Sequence, residues 1–289
     1  MFFQLLVGGI ELGCVYALIA LGFSLIYASS GLTTFAQGEM FMLGAFMIYT
    51  FFMMARLPFA ISMLCTIVFM GFFGAAIEGG LISPLMKRGA SGMNIVLATI
   101  AISTIMSNAA MLIWGAGSFN FPSIFGSKPI HIGSVYVTGQ QIAIVVVSLL
   151  CMLLVHFFMT KTKLGIAMRA AAMDQTAASA VGINVPMTYA LTWALACILA
   201  AVGGIMLAPI YNVYAKMGAL VSSKGFAAAV VGGYGNMYGA MVGGLLLGII
   251  ETMSAGYISS SIKDIVCYVV LIAVMFIKPS GIFNGKVVN

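Results

Sequence analysis

Long apolar runs separated by short polar gaps dominate the chain, falling at about 5–28, 36–55, 59–82, 93–115, 139–159, 188–209 and 262–278. Each approaches the roughly 20 residues that a helix needs to cross about 30 Å of hydrocarbon. The gaps carry ordinary breakers: Arg56-Leu57-Pro58, then Ser83-Pro84 with Lys87-Arg88-Gly89. The longest gap, 116–138, holds Pro122, Gly126, Lys128, Pro129 and Gly133 and is predicted to be an ordered external loop. Only helices that satisfy their own backbone can fill such runs in lipid. The pattern therefore predicts an all-α, polytopic integral membrane protein with about eight or more transmembrane helices, some broken or re-entrant.

Two stretches interrupt the pattern. In the Gly-rich segment 224–253, Gly232, Gly233 and Gly235 stand close together. Each weakens a helix by about 1 kcal/mol relative to alanine, so a helix break is predicted there. Gly235, Gly239 and Gly243 recur every fourth residue, a spacing that puts them on one helix face open to close approach. Tight packing accounts for that repeat. Gly232-Gly233 beside Asn236 fits better a broken helix lining a cavity, where irregular backbone at membrane depth is tolerated. The second interruption runs from Gly31 through Thr33, Thr34 and Phe35 to Gln37-Gly38-Glu39, ahead of the apolar Met40 to Met54. A charge such as Glu39 near the membrane centre costs about 2.5–3.5 kcal/mol. An interface, protonation, or exposed backbone N–H groups at a helix start would each relieve that cost. The last, structural role is the expected one, with solute contact as the alternative.

In the fourth run, Thr99, Ser103 and Ser107 recur at i, i+4 and i+8 with Asn108 alongside, which makes one polar stripe on an apolar helix. Hydroxyls bonded back to their own helix and a pathway lining are equally open readings. Gln37, Glu39, Thr99, Ser103 and Asn236 are thus the candidate pathway residues. Trp114, Trp193 and the scattered tyrosines read as interfacial anchors or packing.

Composition agrees: 63% of residues are hydrophobic and 6% charged, against about 25% charged in soluble domains. The net charge of +6 comes from twelve cations spread thinly through the gaps, with no basic cluster interleaved with aromatics. Membrane topology explains them better than nucleic acid does. The first basic residue is Arg56, so the opening run is expected to stay attached as a spanning helix rather than act as a secretory leader. The five cysteines lie in apolar runs without metal-ligand or disulfide spacing, and His131 and His156 are isolated, so no metal is expected. No phosphate-binding loop occurs: Gly281 to Lys286 is one residue short, and Val287 follows the lysine. With no nucleophile motif and six carboxylates dispersed over separate segments, the chain is read as a non-enzyme with little sign of a proton relay. Energy for active transport would arrive from another chain.

Segment 160–187 differs from the rest, combining Lys161, Lys163, Arg169 and Asp174 with a run of alanines. Asp174 is placed to cap a short helix over 175–181, Gly182 to end it in the left-handed conformation, and Pro186 to open the next spanning helix. The result is an amphipathic helix at a membrane surface. The positive-inside rule puts Lys87/Arg88 and 160–187 in the cytoplasm, joined by Lys278 and Lys286 if 224–253 contributes two crossings or a re-entrant one. Arg56, Lys128, Lys216, Lys224 and Lys263 then count against, leaving seven to five.

Several stretches, taken in order, resemble the branched-chain amino acid permease family of bacterial ABC importers, LivH type. They are Tyr16 to Gly22; Gly31-Leu32 with Phe35 to Glu39; Thr162 to Gly165 with Met168-Arg169-Ala170 and Asp174; Gly182-Ile183-Asn184; and Lys224-Gly225-Phe226 through Gly232-Gly233 to Gly239-Ala240. The resemblance covers nearly the whole chain, and its motifs are specific only together. It implies a single permease domain over 1–289, paired with a second related permease. It also implies two cytoplasmic ATPase subunits that bind ATP and Mg, and a periplasmic or extracellular solute-binding protein. By the same resemblance 160–187 is the coupling segment, with Arg169, Asp174 and Gly182 matching the family there. One departure stands out: the family commonly has His where this chain has Gln37. Relatives of this type also carry urea or short amides, so the solute stays open. A stand-alone secondary transporter or channel is the rival reading. An intramembrane enzyme would need a reactive constellation that the sequence does not contain.

Overall fold

The computed structural model describes residues 1–126, 129–132 and 135–283, so Lys128, Gly133 and Lys286 lie outside the described residues. Its helices are α1 (Phe2–Ser30), α2 (Gln37–Tyr49), α3 (Phe59–Ile77), α4 (Ser83–Lys87), α5 (Gly92–Trp114), α6 (Gly139–Lys161), α7 (Lys163–Met173), α8 (Gln175–Ala180), α9 (Val185–Tyr211), α10 (Met217–Gly232), α11 (Met237–Tyr257) and α12 (Lys263–Ile277). Among the described residues, six helical stretches are long and apolar enough to cross a membrane: Phe2–Ser30, Phe59–Lys87, Gly92–Trp114, Gly139–Lys161, Val185–Tyr211 and Met237–Tyr257. The expected runs at 36–55 and 262–278 form shorter helices. The first is α2 continued by a π-helical turn, Thr50–Met54, and the second is α12 with 15 residues. At 1.5 Å per residue α12 spans only about 22 Å.

The main breaks fall where glycine chemistry puts them. Left-handed Gly31 (φ 67°) ends α1, and its N–H reaches the Tyr27 carbonyl at 2.8 Å. The helix then stops between Gly232 and Met237, where Gly233 (φ 119°) and Gly235 (φ 84°) occupy the region that only glycine enters cheaply. The expected break at Ser83-Pro84 does not occur. A π turn over Glu78–Ile82, closed by the Ser83 N–H to the Glu78 carbonyl, carries the helix through to Lys87. The widened turn absorbs a proline that would otherwise break the ladder. In the polar gap, β1 (Pro129–Ile132) and β2 (Val135–Thr138) pair antiparallel, a hairpin inside what the sequence marked only as a loop.

Glycine also sets the packing. Gly244 of α11 lies on Ala17 of α1, and Gly248 lies on Gly13. A Cβ added at Gly9 would meet the Ile249 Cα at 2.8 Å, and one at Gly13 would meet the Leu245 Cα at 2.9 Å. Gly239 and Gly243 face the other way, onto Gly232 and Ala228 of α10. The predicted stripe is therefore real at Gly239 and Gly243, which both serve α10, while Gly244 and Gly248 make a second face for α1 and Gly235 sits in the break. Without a hydrophobic force between helices in lipid, such close backbone approach supplies the attraction. α9 is buried along most of its length against α1, α2 and α3. By contrast α3, α5, α6 and α12 turn large side chains outward, among them Phe72, Leu112, Phe157 and Phe276.

The contacts sort the loops to two ends. At one, Tyr27 packs on Tyr234 (centroids 4.4 Å apart), the Tyr238 hydroxyl meets His156 Nδ1 at 2.9 Å, and the Phe283 N–H donates to the Gly232 carbonyl at 3.0 Å. At the other, Gln4 bonds both main-chain groups of Tyr136 at 2.7 and 2.9 Å, and Phe119 pairs with Val213. α3 starts at this hairpin end, where Phe59 meets Phe125, so Lys87 and Arg88 reach the first end with Lys161, Lys163, Arg169 and Lys278. Lys224, counted above as a loop cation on the opposite side, is instead ion-paired within the helical body, and Lys263 at the start of α12 joins the same cluster.

Candidate translocation site and coupling surface

α10 begins within the bundle. After α9 ends at Tyr211 and left-handed Asn212 (φ 61°), residues 213–216 turn the chain inward, and Gly218 packs directly on Gly38 at the start of α2. Both flanks of α10 then face cavities. On one side a space of about 380 Å³ is lined by Phe35, Glu39, Ser103, Ser222, Ser223 and Tyr268, with Phe226 beyond. Glu39 is 4% exposed; its Oε1 accepts a hydrogen bond from Ser103 Oγ at 3.4 Å, and its Oε2 lies against Gly218 of α10, where a Cβ would leave it no room.

The polar stripe of α5 holds the Gly31–Glu39 interruption and the turn that leads into α10. Thr99 Oγ1 accepts the Phe35 N–H at 3.1 Å, Ser103 reaches Glu39, and Ser107 donates to the Ala215 carbonyl at 3.1 Å. Asn108 turns away to the Thr104 carbonyl of its own helix. Gln37 is fully enclosed: its Nε2 donates to the Ala196 carbonyl of α9 at 2.8 Å, and Gly22 leaves the room for it on α1. The amide thus ties α2 to α9 and does not line the Glu39 cavity. Among the described residues no main-chain N–H donates to the Glu39 carboxylate, so the expected helix-start role gives way to one facing α5 and α10.

On the other flank, Lys224 Nζ pairs with Glu251 of α11 at 2.5 Å and with Asp264 of α12 at 2.7 Å, while Lys263 lies 3.6 Å from Glu251. Tyr16 of α1 donates its hydroxyl to Glu251 Oε2 at 2.8 Å. A cavity of about 160 Å³ opens beside this cluster, walled by Leu12, Leu207, Tyr211, Tyr214, Leu220 and Val221. The carboxylates are therefore not all dispersed, as the sequence suggested, because Glu251 and Asp264 converge on one lysine. An ionisable residue inside a spanning segment is a functional signal by default, and Glu251 carried that signal in the sequence. Its partnership with residues on three other helices did not show there.

At the cationic end, α7 and α8 lie across the bundle. Thr162 Oγ1 caps α7 through the Gly165 N–H at 3.0 Å, and Asp174 Oδ1 caps α8 through Thr176 and Ala177 N–H at 2.8 and 2.9 Å. Gly182 (φ 87°) follows α8, and the Ile183 N–H returns to the Ala178 carbonyl at 3.0 Å, the six-to-one bond of a Schellman ending. α7 buries Gly165, Met168 and Ala171 against the bundle and leaves Arg169 exposed. Met173 and Val181, bracketing α8, are 78% and 77% exposed.

Comparison with known proteins gives a consistent answer. Residues 5–275 match the family described as the branched-chain amino acid transport system, permease component. The chain belongs to that permease family. The permease is 35% identical over 297 residues to the high-affinity branched-chain amino acid transport system permease protein LivH of Escherichia coli (strain K12), covering 98% of this chain and 96% of that one. It is 34% identical over 298 residues to BraD of Pseudomonas aeruginosa, with the same coverage of both chains. A probable LivH of Methanocaldococcus jannaschii is 29% identical over 304 residues, covering 96% of this chain and 91% of its own. No solved structure matches.

The candidate residues of this permease separate into groups. Glu39 and Ser103 share a cavity; Thr99 and Gln37 hold the backbone beside it. Asn236 lies elsewhere, at the cationic end. It caps α11 through Tyr238 and Gly239 N–H at 3.0 and 3.1 Å and donates to the Phe283 carbonyl. There it borders a cavity shared with Arg169, Met173, Gly235 and Tyr238, next to the surface helices. Among the described residues, no group of three or more His, Cys, Asp or Glu stands ready to hold a metal ion.

Proposed function

We propose that this permease is one half of the membrane domain of an ABC importer in a bacterial cytoplasmic membrane. It moves a branched-chain amino acid or a related small polar solute inward. A second related permease completes the pathway, two ATPase subunits binding ATP and Mg drive it from the cytoplasm, and a periplasmic or extracellular binding protein delivers the solute. The cationic end faces the cytoplasm by the positive-inside rule. Glu39 and Ser103 line the pathway, and 160–187 is the coupling segment within a single 1–289 permease domain.

One observation carries the coupling assignment: α8 is a short helix capped at both ends and flanked by exposed Met173 and Val181, at the end of the molecule that carries Lys161, Lys163 and Arg169. Large apolar side chains on a cationic surface outside the bilayer fit a cleft on a partner protein better than they fit water. α7 connects that knob to the bundle through Gly165, which packs on Phe158 and Met159 of α6. Arg169 of α7 and Asn236 of the Gly232–Asn236 break border the same cavity, so a shift of α7–α8 toward the bundle closes on that break, while α7 also bears on α1 and α9. Reconstituting the complete complex in liposomes tests this. Met173→Asp with Val181→Asp should insert normally and lose ATP-driven uptake at least tenfold. Full uptake by that variant, or uptake by this subunit without ATPases, would rule the assignment out.

A further inference from the structure

The cavity beside Lys224 has the composition of a receptor for a zwitterion. It offers an ammonium (Lys224), a carboxylate (Asp264) and an apolar wall of Leu12, Leu207, Leu220 and Val221. Its volume of about 160 Å³ is close to the roughly 150 Å³ that accommodates a benzene-sized ligand. It lies near the hairpin end, between Tyr211 at the close of α9 and Lys263 at the opening of α12. Resting on the importer reading above, we infer that this cavity is the first station for an α-amino acid released into the permease, with Lys224 and Asp264 exchanging partners to hold it.

The two carboxylates of the cluster are not equivalent, and that difference gives the mechanism. Glu251 is 2% exposed and held from three sides, by Lys224, Lys263 and the Tyr16 hydroxyl. The Asp264 side chain is 51% exposed and, among the described residues, pairs with Lys224 alone. A buried, multiply bonded carboxylate stays in place, because removing its partners would leave an uncompensated charge. A half-exposed one with a single pair exchanges at little cost. An incoming carboxylate therefore displaces Asp264 from Lys224, and the released Asp264 turns to the incoming ammonium. Every charge is paired before and after, and Glu251 keeps Lys224 charged throughout. The aliphatic side chain of the solute lies on the leucine wall. A solute with no charges, such as urea, has nothing to offer in the exchange.

The test uses the complete transporter in liposomes, with L-leucine and urea as probes and two readouts, uptake and ATP hydrolysis stimulated by the loaded binding protein. Asp264→Asn, at a half-exposed position, is expected to assemble, keep stimulated hydrolysis within twofold, and lose L-leucine uptake at least tenfold. Replacing the buried pair together, Lys224→Met with Glu251→Leu, should do the same without leaving a lone buried charge. Normal L-leucine uptake by assembled Asp264→Asn overturns the inference, as does an equal loss of hydrolysis and uptake, which would mark a purely structural ion pair. If the wild-type complex carries urea and not L-leucine, the importer reading survives and the zwitterion station does not. If the wild-type complex takes up neither probe while hydrolysing ATP without response to a binding protein, the importer reading itself fails.

Discussion

The α1–α11 contact and the α10–α12 contact sit side by side in one bundle and are built on opposite principles. α1 and α11 touch along Gly9, Gly13, Ala17, Gly244 and Gly248, main chain close against main chain, with the Tyr16–Glu251 bond lying beside that seam. α10 and α12 meet through long polar side chains, with Lys224 on Asp264 and the Tyr268 hydroxyl on Ser223 Oγ at 2.9 Å, and open space beside each bridge. Backbone-to-backbone packing has one arrangement. Ion pairs and hydroxyl bridges can change partners while the helices that bear them shift. The first pair is a frame, and the second is a joint placed where solute would pass.

Substitutions at the two contacts should therefore differ most in kind. The largest effect is expected at the frame: Gly248→Leu drives a side chain into the Gly13 main chain, and overpacking against backbone costs upwards of about 3 kcal/mol. Monodisperse protein in detergent should be lost; a well-folded variant with an unchanged melting midpoint would show that α1 and α11 can slide apart. Next comes Glu39→Ala, which removes the buried carboxylate that Ser103 bonds in the cavity beside α10. Its folding should be intact and its uptake at least tenfold lower, with Glu39→Gln intermediate. If alanine transports normally, the cavity beside α10 is not on the pathway.

At the surface, Gly182→Ala forces a Cβ into the left-handed region at about 1–2 kcal/mol, and Asp174→Ala removes a cap worth about 1 kcal/mol. Both act on a helix of six residues, so each should lower the uptake obtained per ATP hydrolysed in liposomes while total protein stability barely moves. The smallest change is expected from Tyr268→Phe, which deletes one neutral hydrogen bond worth about 1 kcal/mol at the joint. Uptake within twofold of wild type is the expected result. A tenfold loss would make that hydroxyl a participant in passage and not merely a bridge.

Much of this was legible beforehand because it depends on local chemistry. The capped α8, with Asp174 before it and Gly182 after it, needed only the residues themselves. The stop at Gly31 and the break at Gly232–Gly235 followed from glycine, and the polar stripe of α5 from its spacing. The misreadings share a cause as well. Pro84 read as a stop because nothing local announces the π turn that accommodates it. The place of Asn236, capping α11 and bordering a cavity with Arg169 at the cationic end, likewise depends on elements far apart in the chain. Glu39 was expected to bond its own helix start, and it faces Ser103, 64 residues away.

The sequence alone determined the solvent, most of the helices and the ends that glycine and capping residues set, since apolar length, glycine and caps act over a few positions. Tertiary structure alone decided which residues share a cavity. Lys224, Glu251 and Asp264 stand on three different helices, and Tyr16 on a fourth. Their charges meet only because Gly13 and Ala17 let α11 lie against α1, a contact energy that no single segment contains.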